Sequence, residues 1–569
     1  MPRHYLLTTC SLLIVLSAVA AAPGHSTACR YLPTDAQWPS TAQWQQLNDS
    51  VDGRLIRGKP LASPCHGEEY NSSTCSFLQA SWASPPPYCS PFPSRGSSCS
   101  LGNIASYAIN VSSAQDVVAG LAFAQKNNIR LSIKNTGHDF LGRSAGAGSL
   151  ALWMHNLKGI QVLDYTRSGS GYSGPAIRMG AGVQGFEAYE FAARHELRVT
   201  GPFNPTVGMV GGYVQGGGHG ALQSAYGLAA DNVLEYEVAT ADGRQLVVSP
   251  TEHEDLFWAL SGGGGGTYAV VLSATMRAYQ DGVVAGASLS FSAGRNEADA
   301  EDEAEAYWTA VSTWHTQLLI HDETPKMTTL FSFTNTSFRL VAATLLDSPT
   351  STLSAVLAPF IQTLDGLGLN YTYETNSQPS FYDHFALYTP ALPYGIAVIN
   401  STVGGRLIPR RTVRENLPDL ISALRTITSH PNIRINGIAA NITHARVGNA
   451  PTANAVLPAW RDALYTLNMD AYFEPGASTD VILGRQALTN ANQNLLKEAT
   501  RKSGGGAYTN EATFDNPDWK EDYFGSNYDT LLQVKGKYDP DYVFYGPATV
   551  GSDYWSTQGD GRLCVAAGA

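Results

Sequence analysis

Hydrophobic and polar positions alternate with two different periods along most of the chain, which predicts a mixture of helices and strands. Between residues 112 and 128 the apolar positions recur at helical spacing, with Ser112 as the expected N-cap. Residues 129–135 alternate apolar and polar side chains, which predicts a strand that ends in a loop. The same criteria predict three further strands and then a helix, at 150–157, 160–165, 176–183 and 186–196.

The rest of the chain continues this alternation through a hairpin, a long middle block and a final helix. Residues 234–248 contain two strand-like runs around Asp242-Gly243, a dipeptide typical of tight hairpin turns. A short helix ended by glycine is predicted at 254–263. Helical and strand-like segments then alternate over 285–500, and a last helix that a proline ends is predicted within 523–540.

The composition indicates a folded protein of more than one domain. Its 569 residues exceed the usual size of a single domain, and 43% of them are hydrophobic while 15% are charged. The formal net charge is -12, whereas proteins that bind nucleic acid concentrate Lys and Arg on their surface. Nucleic acid is therefore not expected as a partner.

The first residues have the pattern of a secretory signal. An apolar run at 6–16 follows basic residues and is followed by small residues at 18–22. This run is too short to span a bilayer, and no later run is long enough, so no membrane span is expected. We predict a signal peptide over 1–22 and a location outside the cell or in the secretory-pathway lumen. A buried N-terminal helix is the alternative.

Six cysteines follow this predicted signal peptide, five of them before residue 100. An even number of cysteines in a secreted chain favours disulfides, which would staple the Pro- and Ser-rich segment 23–100. The sequence does not choose among the possible pairings. No C-x-x-C pair occurs, so a metal site is not expected. Seven N-x-S/T sequons predict N-glycosylation, at Asn48, Asn71, Asn110, Asn335, Asn370, Asn400 and Asn441.

Three glycine-rich segments lie within the region of helices and strands. They cover 133–150, 201–220 and 261–271, and the first holds His138 in a loop directly after a predicted strand. Glycine-rich turns expose backbone N–H groups that bind phosphate oxygens. The last two match neither a P-loop nor a clean G-x-G-x-x-G that opens a helix. His138 in such a loop is a surface residue, a ligand or a point of chemical attachment. The alternative to a phosphate-binding role for the glycine-rich segments is that they are flexible surface loops.

Longer motifs resemble one family of flavoproteins. Residues 134–150, KNTGHDFLGRSAGAGSL, resemble an R-S-G-G-H-D loop in its fungal K-N-T-G-H-D form. Residues 204–233, NPTVGMVGGYVQGGGHGALQSAYGLAADNV, resemble C-P-T-V-G-x-G-G-H followed by a glycine run and Y-G-L-A-A-D-N-V. Residues 523–544 resemble a C-terminal berberine-bridge-like segment. These are motifs of the vanillyl-alcohol-oxidase superfamily with its PCMH-type FAD domain, and most of all of its berberine-bridge-enzyme-like, secreted fungal FAD-linked oxidases.

The resemblance implies an α+β fold in which one domain is interrupted by another. A PCMH-type FAD-binding domain is expected over 101–282, and an α/β substrate-binding domain over 283–500. The substrate domain of this family is an antiparallel sheet covered by helices. A berberine-bridge-like segment over 501–569 is expected to return to the FAD domain.

The resemblance also implies a covalent cofactor. The family bonds a ring nitrogen of the loop histidine to the 8α-methyl group of FAD, and His138 occupies that position. Some relatives form a second bond through a cysteine where this chain has Asn204, so we predict a single covalent bond. The further positions that match the cofactor contacts of the family are Lys134, Asn135, Thr136, Gly137, Asp139, Ser144, Val207, Gly208, Gly211, Gly212, His219, Asp231, Asn232, Val233, Asn510 and Asn527.

The candidate catalytic groups come from the stretch GGGAYTNEATF at 504–514, which resembles a Y-x-N-Y strand facing the flavin in the family. On a strand, Tyr508 and Asn510 share one face and Glu511 has the other. Tyr508 is therefore preferred as the active-site phenol, and Glu511 is second. His155 is a further titratable group, more typical of a structural histidine.

These observations predict a secreted FAD-dependent oxidoreductase with a small-molecule substrate. The compact Val207 resembles the form of the family that lets molecular oxygen reach the flavin, so an oxidase that makes hydrogen peroxide is expected. Its substrate would be an alcohol or related group, with intermediates of secondary metabolism as the first class to consider. The alternatives are an oxidative cyclase of such a pathway and a non-catalytic secreted flavin-binding glycoprotein.

Overall fold

The computed structural model describes residues 29–81, 99–167, 169, 171–294, 300–389, 400–474 and 477–568. The predicted signal peptide and part of the Cys- and Pro-rich segment lie outside these residues. Among the helices described, none combines the length and the apolar character needed to cross a bilayer.

The first half of the chain forms two sheets with helices. Its helices are α1 (Thr41–Ser50), α2 (Ser72–Ser81), α3 (Ala114–Lys126), α4 (Gly185–Ala193), α5 (Gln223–Tyr226) and α6 (Glu254–Leu260). Its strands are β1 (Leu55–Arg57), β2 (Tyr107–Asn110), β3 (Leu131–Lys134), β4 (Leu150–Trp153), β5 (Ile160–Tyr165), β6 (Gly174–Gly180), β7 (Leu197–Val199), β8 (Val233–Ala239), β9 (Gln245–Val248) and β10 (Val270–Gln280). The predicted hairpin is confirmed, because β8 pairs antiparallel with β9.

The two sheets differ in the direction of their strands. The first has the order β1-β2-β4-β3 with β2, β4 and β3 parallel, and the second has the antiparallel order β5-β6-β10-β8-β9. Helix α3 covers the first sheet and begins one residue later than predicted. Ser113, not Ser112, is its N-cap, and Ser113 Oγ accepts from the N–H of Asp116 at 3.4 Å. Ser112 instead donates its N–H to the Asp116 carboxylate at 2.8 Å.

The middle of the chain forms one large antiparallel sheet covered by helices, as expected. Its helices are α7 (Ala300–Glu323), α8 (Thr350–Gly366), α9 (Phe381–Tyr388), α10 (Arg410–Glu415), α11 (Leu417–Thr428), α12 (His444–Val447) and α13 (Thr479–Thr500). Its strands are β11 (Val284–Ser292), β12 (Met327–Phe333), β13 (Ser337–Leu346), β14 (Tyr371–Gln378), β15 (Ser401–Pro409), β16 (Ile433–Ala440) and β17 (Ala463–Tyr472). These strands are ordered β14-β11-β13-β12-β16-β17-β15.

The two faces of this sheet have different roles. One face packs under α7, α8, α11 and α13 around a buried aromatic and aliphatic core that includes Trp314, Phe338 and Phe360. The other face carries polar residues and lies toward the first half of the chain, where it forms one wall of a cavity. Helical burial therefore uses one side of the sheet and leaves the other for a ligand.

The C-terminal residues return to the first half of the chain. They form α14 (Trp519–Phe524), α15 (Tyr528–Tyr538), β18 (Trp555–Thr557) and β19 (Leu563–Val565). A buried Lys535 Nζ donates to the backbone carbonyls of Thr267 and Phe544, both at 2.8 Å, and pairs with Asp539. Disulfides join Cys29 to Cys564 and Cys65 to Cys75. The first of these fixes the C-terminus to the beginning of the described chain.

Buried histidines of the middle domain predict a loss of stability in acid. Burial lowers the pKa of His315 and of His384 to about 4, against 6.5 for an unfolded histidine, and that of His321 further. The unfolded chain therefore binds more protons between pH 6.5 and 4, and the free energy of unfolding should fall as the pH falls. The expected slope is about 1.4 kcal/mol per pH unit for each histidine.

Urea unfolding at several pH values measures this slope, and His315→Gln should make it shallower. His430→Gln is the control, because His430 is exposed. An identical slope in the wild type and His315→Gln would show that His315 is not the group that takes up the proton.

Candidate active site

A cavity of about 610 Å³ lies between the glycine-rich segments of the first half of the chain, the C-terminal return and the polar face of the large sheet. Most of the residues that the sequence predicted for the site line it. These are Asn135, Thr136, Gly137, His138, Asp139, Ser144, Val207, Gly208, Gly211, Gly212, His219, Tyr508, Asn510 and Glu511. The fold thus brings together segments that are up to about 370 residues apart, as the hydrogen bonds below confirm.

His138 lies in the loop after β3 and is held by a chain of hydrogen bonds. Its Nε2 lies 2.7 Å from Thr206 Oγ1, and that hydroxyl donates to Asn204 Oδ1 at 3.1 Å. Because the single hydroxyl proton goes to Asn204, the Thr206 oxygen accepts from Nε2, which leaves the Nδ1 lone pair of a neutral imidazole free. Burial lowers the pKa of His138 more than its hydrogen bonding with Thr206 raises it.

Arg143 fixes the same loop and was not predicted from the sequence. Its Nε and Nη2 donate to Asp139 Oδ1 at 2.7 and 2.6 Å, and Asp139 Oδ2 accepts the Leu141 N–H at 3.1 Å. The guanidinium also reaches Thr509 Oγ1 at 3.4 Å and Asn510 Oδ1 at 3.3 Å. Arg143 therefore connects the histidine loop to the C-terminal return. Its position four residues after Asp139 is the sequence signal that could have predicted the ion pair.

Tyr508 and Glu511 do not lie on a strand, so the prediction that they face opposite ways is wrong. The backbone turns here, with the Glu511 N–H donating to the Tyr508 carbonyl at 2.9 Å. The turn brings both side chains to one cavity, where each contacts His219. The reason for preferring Tyr508 over Glu511 therefore no longer holds.

Glu511 is bonded on both carboxylate oxygens. Oε1 lies 2.7 Å from His219 Nε2, and Oε2 accepts from Asn468 Nδ2 at 3.0 Å. Burial favours the neutral acid, but the charge and hydrogen bond of His219 and the Asn468 amide outweigh it. The pKa of Glu511 therefore lies below its ordinary value, and the group is a carboxylate at neutral pH. An ionised carboxylate that lines the cavity can accept a proton from a bound molecule.

Tyr508 is buried and neutral. Burial, with a smaller contribution from Glu511, raises the pKa of its phenol well above the ordinary value. Its oxygen accepts from Asn510 Nδ2 at 2.8 Å and from the Gly218 N–H at 3.2 Å. With both acceptor positions used, the phenol is left to donate its own proton, so it suits a hydrogen-bond donor more than a base.

Family models match two of the segments that build this cavity. One described as FAD binding domain matches residues 105–249, and one described as berberine and berberine like matches residues 507–551. The VAO-type flavoprotein oxidase VAO615 of Thermothelomyces thermophilus is 39% identical over 588 residues, covering 98% of this chain and all of its own. The chain belongs to the VAO-type FAD-linked oxidoreductases.

Two further comparisons place the chain in the same family. The bifunctional decalin synthase calF of Penicillium decumbens is 39% identical over 580 residues, covering 97% of this chain and 98% of its own. The crystal structure of the VAO-type flavoprotein MtVAO615 from Myceliophthora thermophila C1 superimposes with a TM-score of 0.87 at 40% identity. It covers 95% of this chain and all of that chain, so the fold predicted from the resemblance is confirmed.

The cavity of this FAD-linked oxidoreductase has features that fit FAD. Asn135 Oδ1, Gln215 Oε1 and His219 Nδ1 are buried and have no hydrogen-bond partner among the described residues. Glycine lets two loops meet, since a Cβ at Gly265 would lie 2.8 Å from the Cα of Gly212. Unsatisfied polar atoms beside bare backbone suit a large polar cofactor. Gln215 was not predicted from the sequence.

Five residues predicted to contact FAD do not line the cavity, and the structure gives them other surroundings. Asp231 is buried against Arg461 at 2.7 Å, and Asn232 Nδ2 donates to the Leu228 carbonyl at 2.8 Å. Asn527 Nδ2 donates to the Ala455 carbonyl at 3.2 Å. The other two are Lys134, exposed at the end of its strand, and Val233, buried at the start of β8. The bonds of Asp231, Asn232 and Asn527 hold the fold around the cavity.

Two other predicted residues also have structural surroundings. His155 stacks on Trp153 with ring centroids 5.7 Å apart and does not line the cavity. The Asn441 side chain is 9% exposed and donates to the Asp322 carbonyl at 3.1 Å. A glycan on Asn441 would displace that bond, so the prediction of glycosylation there is not supported. The remaining sequons are exposed or half-buried, at Asn48, Asn71, Asn110, Asn335, Asn370 and Asn400.

Proposed function

We infer that this protein is a secreted, N-glycosylated oxidase. It would take hydride from an alcohol or related group of a small organic substrate and reduce molecular oxygen to hydrogen peroxide. The single observation that carries this proposal is the paired Glu511 and His219 on the same cavity as His138. FAD, when bound, supplies the hydride acceptor and the site of reaction with oxygen. The residues over 101–282 and 501–569 would hold it, and those over 283–500 would hold the substrate.

His138 is proposed to carry FAD as the only covalent link. Nδ1, with its free lone pair, is the ring atom available for a bond. Thr206 keeps the imidazole in the tautomer that carries its proton on Nε2. The carboxamide of Asn204, where some relatives have cysteine, accepts the Thr206 proton and cannot form a thioether. Asn204 therefore excludes a second covalent bond to FAD and, through Thr206, orients the His138 ring for the first bond.

Removing the Thr206 hydroxyl should slow attachment. Thr206→Val keeps the shape but deprives Nε2 of its partner, a loss of about 1 kcal/mol, or a factor of about five in rate. The fraction of flavin that survives acid precipitation, followed over time after FAD is added to apoprotein, measures this. Thr251→Val at an exposed threonine is the control. Equal rates in both variants would show that Thr206 does not orient the ring.

Glu511 is proposed as the base that takes the hydroxyl proton of the substrate. His219, hydrogen-bonded to Oε1, orients the Glu511 carboxylate. Tyr508 would donate a hydrogen bond toward the substrate oxygen. This reverses the order expected from the sequence, because the carboxylate is ionised at neutral pH and the phenol is not. A base must be unprotonated before it can act.

The choice of oxygen as acceptor is supported by Val207, which is half-buried and lines the cavity. A flavin reduced without oxygen and then mixed with air-saturated buffer should reoxidise within seconds and release one peroxide for each flavin. Reoxidation that takes many minutes would make the protein a dehydrogenase. Val207→Leu is expected to slow the oxygen step and leave the reductive step unchanged.

A second candidate is supported by one comparison. The relative named bifunctional decalin synthase is as similar to this chain as the relative named oxidase. An oxidative cyclase would convert a linear substrate into a product with a new ring bond. Product mass and connectivity separate the two, since simple alcohol oxidation removes two hydrogens without closing a ring.

A protein that stays colourless when made with riboflavin would favour a non-catalytic glycoprotein.

A further inference from the structure

A row of polar residues crosses the cavity-facing side of the large sheet. The register pairs Arg339 on β13 with Ser332 on β12, Ser332 with Asn436 on β16, and Asn436 with Asn468 on β17. All four residues line the cavity. Asn468 donates to Glu511, so one end of the row lies at the proposed base and the other end is Arg339.

The row has a definite length. Neighbouring strands lie about 4.8 Å apart, so three steps place the Cα atoms of Asn468 and Arg339 roughly 14 Å apart. Apolar side chains of the same strands, Leu330 and Ile438, line the cavity beside the row. A substrate with its hydroxyl at Glu511 and an extended apolar body would therefore present its far end to Arg339.

The carboxylates on the cavity wall already have side-chain partners. Asp139 is paired with Arg143, and Asp470 with Arg434 at 3.3 Å. Glu511 is hydrogen-bonded to His219 at 2.7 Å, and the Asp470 carboxylate also accepts from Asn436 Nδ2 at 2.9 Å. Each of these acids is bonded within the wall.

Arg339 is different. No carboxylate among the described residues lies within ion-pair distance of its guanidinium, although the chain as a whole has a formal net charge of -12. Arg434, two strands away on the same face, is paired with Asp470 and lies only one strand from Asn468. Within the part of the chain that the structure describes, Arg339, which is exposed, is therefore the cationic side chain without a carboxylate partner at the end of the cavity away from Glu511.

We propose that this protein selects substrates that carry a carboxylate at the end remote from the oxidised carbon. Arg339 binds that carboxylate. A guanidinium recognises a carboxylate through charge-assisted hydrogen bonds, which a neutral group of the same shape does not replace. The proposal rests on the proposed function for the oxidised alcohol. The anion site itself depends only on the cavity.

Binding of a matched pair of probes to the holoprotein tests this proposal. Cinnamate and cinnamamide have the same shape and differ in charge. Isothermal titration calorimetry at neutral pH should show that the wild type binds cinnamate more tightly than cinnamamide by about tenfold or more. Arg339→Gln should remove this preference. Arg425→Gln should keep it, because Arg425 pairs with Glu305 at the surface. Added salt should weaken the cinnamate complex of the wild type more than the amide complex.

Three results would overturn the proposal. They are equal affinity of the wild type for both probes, a preference that survives in Arg339→Gln, and no saturable binding of cinnamate. The salt series needs only the wild type, so the proposal stays testable if a variant does not fold. The titration uses oxidised enzyme without turnover, so its outcome is independent of peroxide release. A protein that prefers cinnamate but releases no peroxide would refute the oxidase and leave the anion site standing.

Discussion

A His138→Ala variant is expected to lose all covalently bound flavin. Acid precipitation of the wild type should leave a yellow pellet, whereas the variant should give a white pellet and a yellow supernatant. The reason is that an alanine offers no nucleophile at the position where Nδ1 of His138 has its free lone pair. Absorbance of pellet and supernatant in the visible range measures the distribution.

His155→Ala is the matched control for this variant. His155 stacks on Trp153 outside the cavity, so its replacement should leave the yellow pellet unchanged. A yellow pellet from His138→Ala would show that another residue holds the flavin. A white pellet from the wild type would remove the covalent link altogether.

A Glu511→Gln variant is expected to reduce its flavin at least about a hundredfold more slowly than the wild type. Glutamine keeps the side chain's size and an oxygen for the Asn468 amide but cannot accept a proton. Anaerobic stopped-flow mixing with substrate, followed by the loss of flavin absorbance, measures this step. The flavin spectrum before mixing should be unchanged.

The pH profile and a second variant sharpen this test. The wild-type rate should fall only at pH below the ordinary carboxyl range, because the pKa of Glu511 is lowered and the base must be ionised. Tyr508→Phe should slow reduction by about tenfold, the value of one hydrogen bond. A larger effect of Tyr508→Phe than of Glu511→Gln would restore the tyrosine as the principal group.

The motifs predicted the FAD domain and the part of the cavity wall that the glycine-rich segments and the C-terminal return form, because such segments keep their local pattern wherever the chain folds. Where the predicted secondary structure was wrong, short-range hydrogen bonds were the reason. Ser113 rather than Ser112 caps α3, since Asp116 completes a reciprocal pair with it. The Glu511-to-Tyr508 backbone bond turned an expected strand into a bend.

Contacts between distant segments could not be predicted from one sequence. The ion pair of Asp231 with Arg461 joins residues 230 positions apart, so a residue expected at FAD holds two domains together instead. The polar row of the large sheet depends on the strand order β13-β12-β16-β17, which chain order does not reveal. Arg339 therefore carried no functional signal in the sequence.

A peptide map of the wild type tests whether His138 carries the flavin. Purified protein would be digested with trypsin, and each peptide would be examined for visible absorbance and for mass. We predict one yellow peptide that contains His138, heavier by one FAD, with fragmentation that places the cofactor on the imidazole. A colourless His138 peptide of unmodified mass, or flavin on a different residue, would contradict the account.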